Sequence, residues 1–445
     1  MKELIRSSVV VTGIRGAGIV LQSLILLFLA RSLPVHELGI FALFYAGFGI
    51  VRILGPLGTD QVTMRQVAVA EGIPDGALHR ILNTSFVLVA GVNAVIAAAA
   101  FGLVSLAFPW VFEATGLSVA ELLLIIASAP AFALIGLMTY QLRGFGYNAL
   151  AQFPDSVALQ LFIGGGVAGL AYAGRLDLPS TLFVLVAAAW LVAAIYLVIR
   201  LRIGVDTGAR PTWMSTRCLI GESREVLYAL SITALSARLP LLLSAPLLGS
   251  AATAIFDVAS RFGSVPSITT SAVAVAFSPR FAALAHSSDR AAMSRTLSFA
   301  SLVAVSPAIA YFGVAAAAAP FLIDHVLPPA YAHIYLPMLV VCAALTVNAA
   351  FGVTSNFLFM AGESRVVRNF SIAQLAGIGI LTPLFAWQFG TLGLAVAVLA
   401  GSVIRDVGMA VWASRRFGVT LPPFGLGRLS RPRIQETGGL VQDGP

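Results

Sequence analysis

Charged residues are scarce in this chain of 445 residues. Aspartate, glutamate, lysine and arginine make up 10% of the sequence, and hydrophobic residues make up 59%. Soluble domains carry about 25% charged residues, so this composition leaves too little polar surface to cover a globule in water. Apolar stretches of about 20 residues recur along the whole length, and each can cross the roughly 30 Å hydrocarbon layer of a bilayer. The chain is therefore expected to be an integral membrane protein.

Residues that carry enzyme or metal chemistry are also few. The two cysteines, Cys218 and Cys342, are far apart, which excludes a disulfide framework and a zinc motif. Five histidines are scattered through the expected loops, and no two have ligand spacing on one helix. Paired carboxylates and a Ser-His-Asp arrangement cannot be argued from spacing. We therefore expect no catalytic residue, no metal site, no cofactor and no enzyme activity.

Strand-like alternation over about 10-residue segments is absent, so the spans are expected to be helices, whose backbone groups are satisfied within each segment. The expected fold is an all-α integral membrane protein with about 12 transmembrane helices in two six-helix lobes. The N-terminal lobe covers 1–200 and the C-terminal lobe 224–414, with a cytoplasmic loop at 201–223 and a mobile cytoplasmic tail at 415–445. The predicted spans are 7–30, 38–58, 83–108, 119–140, 150–173, 179–199, 224–246, 250–277, 297–320, 334–360, 368–388 and 391–413.

The arginines orient these spans in the membrane. All the basic residues except Lys2 are arginine. If both termini are cytoplasmic, 20 basic residues fall in inside loops and ends, and only Arg31 and Arg175 fall in outside loops. This bias follows the positive-inside rule. It also accounts for the net charge of +8 without a nucleic-acid partner.

A weak internal repeat supports the two lobes. The stretch "GIFALFYAGFGIVRILGPLGTDQVTMRQVA" (39–68) aligns with "AIFDVASRFGSVPSITTSAVAVAFSPRFAA" (254–283), with Phe41 opposite Phe256 and Arg65 opposite Arg280. Six spans in each copy is an even number, so the two copies enter the membrane in the same direction. Such a parallel repeat is typical of transporters, which place a central cavity between two lobes. Gly55-Pro56-Leu57-Gly58 predicts a bend at the inner end of the second span.

Charged side chains inside the spans are the strongest functional signal. A charged residue at a helix centre costs about 2.5–3.5 kcal/mol on insertion scales, so these side chains are expected to face protein or water. Helical spacing places Arg15 beside Gly18 and Gln22, and Asp257 beside Arg261. The candidate substrate-binding residues of the cavity are Arg15, Arg52, Arg238 and Arg261. The candidates for ion coupling, or for orienting an arginine, are Asp257, Asp60 and Asp155.

Structural roles for the same residues stay open at this point. Arg52 lies near the inner end of its span and could extend to the interface. Asp257 and Arg261 could form an ion pair with no further role, as could Arg405 with Asp406. Asp60 and Asp155 could be ordinary loop residues near cytoplasmic ends.

Three stretches carry a resemblance to a known family. These are "LARSLPVHELGIFAL" (29–43), "LGTDQVTMRQVA" (57–68) and "LRGFGYNALAQF" (142–153). With the twelve spans, they resemble the polysaccharide-transport branch of the multidrug/oligosaccharidyl-lipid/polysaccharide (MOP) exporter superfamily, the O-antigen or Wzx-type flippases. The resemblance covers about residues 1–415.

The resemblance implies a flippase in the bacterial inner membrane. Such a protein moves undecaprenyl-diphosphate-linked oligosaccharide to the periplasmic leaflet by alternating access, for O-antigen, capsule or exopolysaccharide synthesis. The implied partners are this lipid-linked substrate, membrane lipids, and a polysaccharide polymerase with its assembly proteins, with H⁺ or Na⁺ as the coupling ion. A MATE-like multidrug or cation antiporter is an alternative, although arginines in the cavity should repel cations. A polysaccharide polymerase or ligase is another, although it needs longer external loops than this sequence has.

Overall fold

The computed structural model describes residues 2–68, 75–115, 118–205, 209, 212–285 and 289–419, and every regular element in these ranges is helical. The first half contains α1 (Lys2–Ser32), α2 (Val35–Leu54), α3 (Thr59–Ala68), α4 (Asp75–Thr115), α5 (Val119–Gly144), α6 (Asn148–Phe153), a π-helical turn (Pro154–Ala158), α7 (Leu159–Tyr172) and α8 (Leu178–Arg202).

The second half continues with α9 (Trp213–Leu248), α10 (Ser250–Gly263), α11 (Pro266–Ala285), α12 (Arg290–His325), a 3-10 helix (Pro329–Ile334), α13 (Tyr335–Phe351), α14 (Val353–Met360), α15 (Ser364–Phe389), α16 (Thr391–Ser402), a second π-helical turn (Val403–Val407) and α17 (Gly408–Phe417). Across the described residues, 11 helical segments are long and apolar enough to cross a membrane. The prediction of a multi-pass, all-α membrane protein is confirmed.

The predicted span at 250–277 is not one of these segments because it is divided into α10 and α11. The division falls at Ser264 and Val265, immediately before Pro266. Proline has no backbone N–H and cannot continue the hydrogen-bond pattern of α10. The Ser264 side chain donates instead to the carbonyl oxygen of Arg261 at 2.9 Å. The twelve predicted spans therefore appear as 11 segments and this interrupted pair.

The second span of the first half is followed by a similar break. Leu57 and Gly58 have φ angles of 59° and 75°, which end α2 and allow α3 to leave in a new direction. Asn93 of α4 donates its side-chain amide to the carbonyl oxygen of Gly55 at 2.8 Å, so a buried acceptor near the break is satisfied. The bend predicted at Gly55–Gly58 is confirmed.

The helices pack in the same pattern in both halves. In the first half, α5 packs on α2, α4 and α8, and α1 packs on α6 and α7. In the second half, α13 packs on α10, α12 and α16, while α9 packs on α15. In each half the fourth span, α5 or α13, packs on the second, third and sixth spans, and the first span, α1 or α9, packs on the fifth. The structure thus has the two six-span lobes that the repeat predicted.

Two predicted boundaries differ from the structure. The inter-lobe loop is expected over 201–223, but α9 begins at Trp213, and this helix packs against α3 and α4 of the N-terminal lobe. The C-terminal tail was expected from 415, but α17 continues to Phe417, where Gly418 ends it with a φ angle of 66°. The tail from 420 onward lies outside the described residues.

The lobes touch at both ends of the molecule. We call the end that holds the turn from α1 to α2 the distal end, and the end that holds the turn from α2 to α3 the proximal end. At the distal end α2 packs on α10 so tightly that a Cβ atom on Gly39 would overlap the carbonyl oxygen of Ser250. At the proximal end Arg65 of α3 pairs with Glu222 of α9 at 2.8 Å.

Candidate functional site: an arginine cluster between the lobes

An ion pair within the N-terminal lobe forms the first part of the site. Arg52, in the last turn of α2, pairs with Asp155, which lies in the π-helical turn between α6 and α7. The Asp155 side chain is fully buried, whereas the Arg52 side chain is 38% exposed. A π-helical turn inserted into a span often marks a functional site. Here it aims a carboxylate at α2, so Asp155 is an interior residue and not a loop residue.

Two further arginines surround this carboxylate. Arg15 of α1 and Arg143 of α5 lie close enough to act on Asp155 electrostatically. Arg143 also donates to the side-chain oxygen of Gln152 at 2.5 Å. Arg15 is exposed on α1. One carboxylate therefore faces three guanidinium groups, which leaves the N-terminal lobe with an excess of positive charge at this point.

The second part of the site comes from the C-terminal lobe. Arg261 and Asp257 lie one helical turn apart on α10, and the Nε of Arg261 donates to a carboxylate oxygen of Asp257 at 2.8 Å. The two side chains are only 16% and 4% exposed. Arg238 of α9 lies within electrostatic range of Arg261, Asp257 and Arg52, and so connects the two parts.

Tyr45 of α2 joins the lobes at this level. The guanidinium carbon of Arg261 lies 4.9 Å from the centre of the Tyr45 ring. The Tyr45 hydroxyl accepts hydrogen bonds from the side-chain amides of Gln22 and Gln160, both at 3.0 Å. A single tyrosine thus contacts α1 and α7 within its own lobe and an arginine of the other lobe.

The structure brings together six of the seven candidates from the sequence. Five arginines and two aspartates now form one group, with a formal excess of three positive charges; we call it the arginine cluster, and its members are Arg15, Arg52, Arg143, Arg238, Arg261, Asp155 and Asp257. The two described cavities lie elsewhere, one of about 420 Å³ beside α4 and a small one at the distal end.

Asp60 does not join the arginine cluster. It lies at the start of α3, is 2% exposed, and has one carboxylate oxygen without a hydrogen-bond partner among the described residues. Burial raises the pKa of Asp60 to about 6. Its environment makes it a titratable group near the proximal end, separate from the substrate-binding candidates.

Sequence reasoning missed two members of the site. Arg143 was counted among the cytoplasmic loop residues because it ends a span, and Tyr45 was not singled out because an aromatic residue in an apolar helix carries no signal of its own. The pair formed by Arg405 and Asp406 fits the structural interpretation. Asn348 donates to Asp406 at 2.8 Å and Arg405 donates to Gln374 at 3.4 Å, all within the C-terminal lobe.

A buried arginine near the proximal end also has a structural setting. Arg200 of α8 is 4% exposed. It donates to the side-chain oxygen of Gln141 at 2.9 Å and to that of Asn83, and it lies 5.1 Å from the centre of the Phe86 ring. These contacts tie α8 to α4 and α5 within the N-terminal lobe.

Comparisons with known proteins identify the fold. No protein-family model matches the chain, and no curated protein matches it in sequence. Among solved structures, an inward-facing multidrug resistance MATE family transporter of the MOP superfamily has a TM-score of 0.73 and 13% identity, covering 95% of this chain and 100% of that one.

Two other solved structures extend this comparison. The lipid II flippase MurJ, in an inward closed conformation, has a TM-score of 0.72 and 12% identity, covering 92% of this chain and 87% of that one. An outward-facing MATE family transporter of the MOP superfamily has a TM-score of 0.65 and 16% identity, covering 93% and 95%. The chain therefore has the two-lobed fold that MATE transporters share with the flippase MurJ.

Proposed function

We propose that this protein is a flippase, and not an enzyme, that moves undecaprenyl-diphosphate-linked oligosaccharide from the cytoplasmic to the periplasmic leaflet by alternating access. The observation that carries the proposal is the arginine cluster, which holds an excess of three positive charges between two lobes of a membrane protein. A diphosphate carries about two negative charges, and guanidinium groups bind phosphate oxygens in a bidentate fashion.

The sign of the charge favours this substrate class over the alternative. A cation antiporter of the MATE type needs an acidic site, but both aspartates of the cluster are already opposed by arginines. The fold itself fits either transporter. A negative cell interior also favours the outward movement of an anion, by about 2.3 kcal/mol per charge for each 100 mV. The polyprenyl tail can stay in the lipid while the head group crosses between the lobes.

The proposed location is the bacterial inner membrane with both termini in the cytoplasm. In this orientation the distal end faces the periplasm, and a polysaccharide polymerase and its assembly proteins would receive the product there. The coupling ion, H⁺ or Na⁺, belongs to the proposal as well, with Asp60 as the titratable candidate outside the spans. Product glycans would enter O-antigen, capsule or exopolysaccharide.

Transport in proteoliposomes tests the substrate. Arg238→Ala and Arg52→Ala should each reduce flipping of a fluorescent polyprenyl-diphosphate oligosaccharide at least tenfold, an expectation from the loss of one charge-assisted contact of about 1.5–3 kcal/mol. Lysine at the same positions should rescue only in part, because it keeps the charge but loses the bidentate geometry. Arg175→Ala, an exposed arginine outside the cluster, is the matched control. Wild-type export of a cationic dye with no flipping would favour the antiporter instead.

Cysteine labelling tests the orientation. Single cysteines at Arg175 and Ala330 should react with an impermeant thiol reagent added to intact cells. Single cysteines at Arg202 and Ser364 should react only after the cells are permeabilised. All four residues are exposed, so access to the reagent depends on the side of the membrane alone. Labelling of Arg202→Cys from outside would overturn the proposed orientation.

A further inference from the structure

Tyr45 lies between the lobes, and the proposed transport function assigns it no role. Its ring belongs to α2 of the N-terminal lobe, and the guanidinium group of Arg261 in the C-terminal lobe lies over it at 4.9 Å. Arg261 keeps its Nε on Asp257 at 2.8 Å. The cation is thus held from both sides, by a carboxylate of its own helix and by an aromatic face of the other lobe.

The N-terminal lobe fixes the orientation of this ring. Gln22 of α1 and Gln160 of α7 both donate to the Tyr45 hydroxyl, and the neighbouring Phe41 ring lies 6.0 Å away. A ring anchored at its far end cannot follow Arg261 if the lobes separate. The contact with Arg261 is therefore made in the state seen here and broken when α10 moves away from α2.

The contact between Tyr45 and Arg261 lies on the proximal side of the place where the two lobes meet at the distal end. There α2 meets α10 at Gly39 and Ser250. Arg31 of α1 donates to the carbonyl oxygens of Val326 at 2.5 Å and His325 at 3.2 Å, at the end of α12. Arg31 already donates to these two backbone carbonyls and lies outside the arginine cluster, whereas the Tyr45 contact includes a member of that cluster.

We propose that Tyr45 holds Arg261 across the lobe interface in the anion-free protein, and that a diphosphate head group displaces the ring and so releases the distal end. This inference rests on the proposed function. A ligand shifts a conformational equilibrium only by its difference in affinity for the two states. A phosphate makes charge-assisted hydrogen bonds with a guanidinium group that an aromatic face cannot match. Tyr45 is a positioning residue in this scheme, since it acts on the substrate through Arg261.

The rate of cysteine labelling at the distal end measures release. Met338 is 6% exposed and packs among apolar residues of both lobes at that end. In the full chain with Cys218→Ser and Cys342→Ser, the cysteine of Met338→Cys should react slowly with a maleimide in detergent. Farnesyl diphosphate should accelerate the reaction, and farnesol, which has the same tail without the charge, should not.

Two rings of similar shape but different electron density test whether the ring face of residue 45 attracts the guanidinium group of Arg261. Phenylalanine and 3,4,5-trifluorophenylalanine at position 45 have nearly the same form and both lack the hydroxyl, but fluorination removes the negative face that attracts a cation. The trifluoro variant should label about fivefold faster than Tyr45→Phe without ligand, and farnesyl diphosphate should add little further. Phe44→Leu, a ring of the same helix with no guanidinium over it among the described residues, is the control and should match the parent.

Two results would contradict different parts of the scheme. Equal labelling rates for the phenylalanine and trifluoro variants would overturn the role of Tyr45, even if farnesyl diphosphate accelerates labelling of the parent. Faster labelling of the trifluoro variant, with no effect of farnesyl diphosphate on the parent, would overturn the diphosphate as the ligand and the proposed function with it. A thermal unfolding scan of each variant checks that the ring changes leave the fold intact.

Discussion

Removing Asp257 alone should destabilise the protein more than removing Asp257 and Arg261 together. The two side chains meet at 2.8 Å and are 4% and 16% exposed, so Asp257→Ala leaves a buried guanidinium without its carboxylate. Breaking a buried pair in this way costs about 3–5 kcal/mol. The Tyr45 ring faces the cation in both the parent and the variant, so this contact does not change the difference. We therefore expect a loss of about 3–5 kcal/mol in the free energy of unfolding.

A double-mutant cycle measures the coupling between the two residues. Unfolding of Asp257→Ala, Arg261→Ala and the double variant is followed by titrating SDS into mixed micelles. The double variant should retain more stability than Asp257→Ala, which gives a coupling energy of about 1–3 kcal/mol.

The pair formed by Arg65 and Glu222 serves as the matched control for this cycle. Its atoms also meet at 2.8 Å, but its side chains are 68% and 37% exposed, and exposed pairs contribute about 0–1 kcal/mol. If the coupling between Asp257 and Arg261 is no larger than that of this exposed pair, burial does not strengthen the ion pair and the reasoning fails.

Three further predictions concern the ends of the molecule. Asp60→Asn should stabilise the protein at pH 7.5 by up to about 3 kcal/mol, because burial raises the pKa to about 6 and the native state resists ionisation above that pH. The gain should disappear as the pH falls toward 4, and a gain independent of pH would exclude titration of Asp60 as its source. Asp177→Ala should cost about 1 kcal/mol at pH 7, because Asp177 caps the first turn of α8 and hydrogen bonds lower the pKa of its carboxyl. This cost should shrink as the pH falls through the lowered pKa of the folded-state carboxyl, because protonation removes the charge of the cap. Gly39→Ala should speed the labelling of Met338→Cys severalfold, because the added methyl group would overlap the Ser250 carbonyl, and an unchanged rate would show that the distal contact does not control opening.

Local chemistry in the sequence was enough to predict the break after α2, whereas the break between α10 and α11 was not predicted. Leu57 and Gly58 have positive φ angles, and Pro56 has no backbone N–H to donate. A helix cannot continue straight through these residues, so the chain bends there. The start of α9 at Trp213 could not be predicted in the same way. This helix lies beside the N-terminal lobe, where Arg65 pairs with Glu222 and Gly58 approaches the backbone of Ser223.

The sequence by itself determined the membrane environment, the two lobes and the presence of costly charges inside the spans, because hydrophobicity, loop charge and helical period are local properties. It placed Asp257 and Arg261 on one helix face for the same reason. Only the tertiary structure decided which charges meet. Asp155 finds Arg52 across more than a hundred residues through a π-helical turn, Arg143 joins them from the end of α5, and Tyr45 reaches Arg261 in the other lobe. These contacts depend on how separate spans pack together, and the periodicity within one span does not predict that packing.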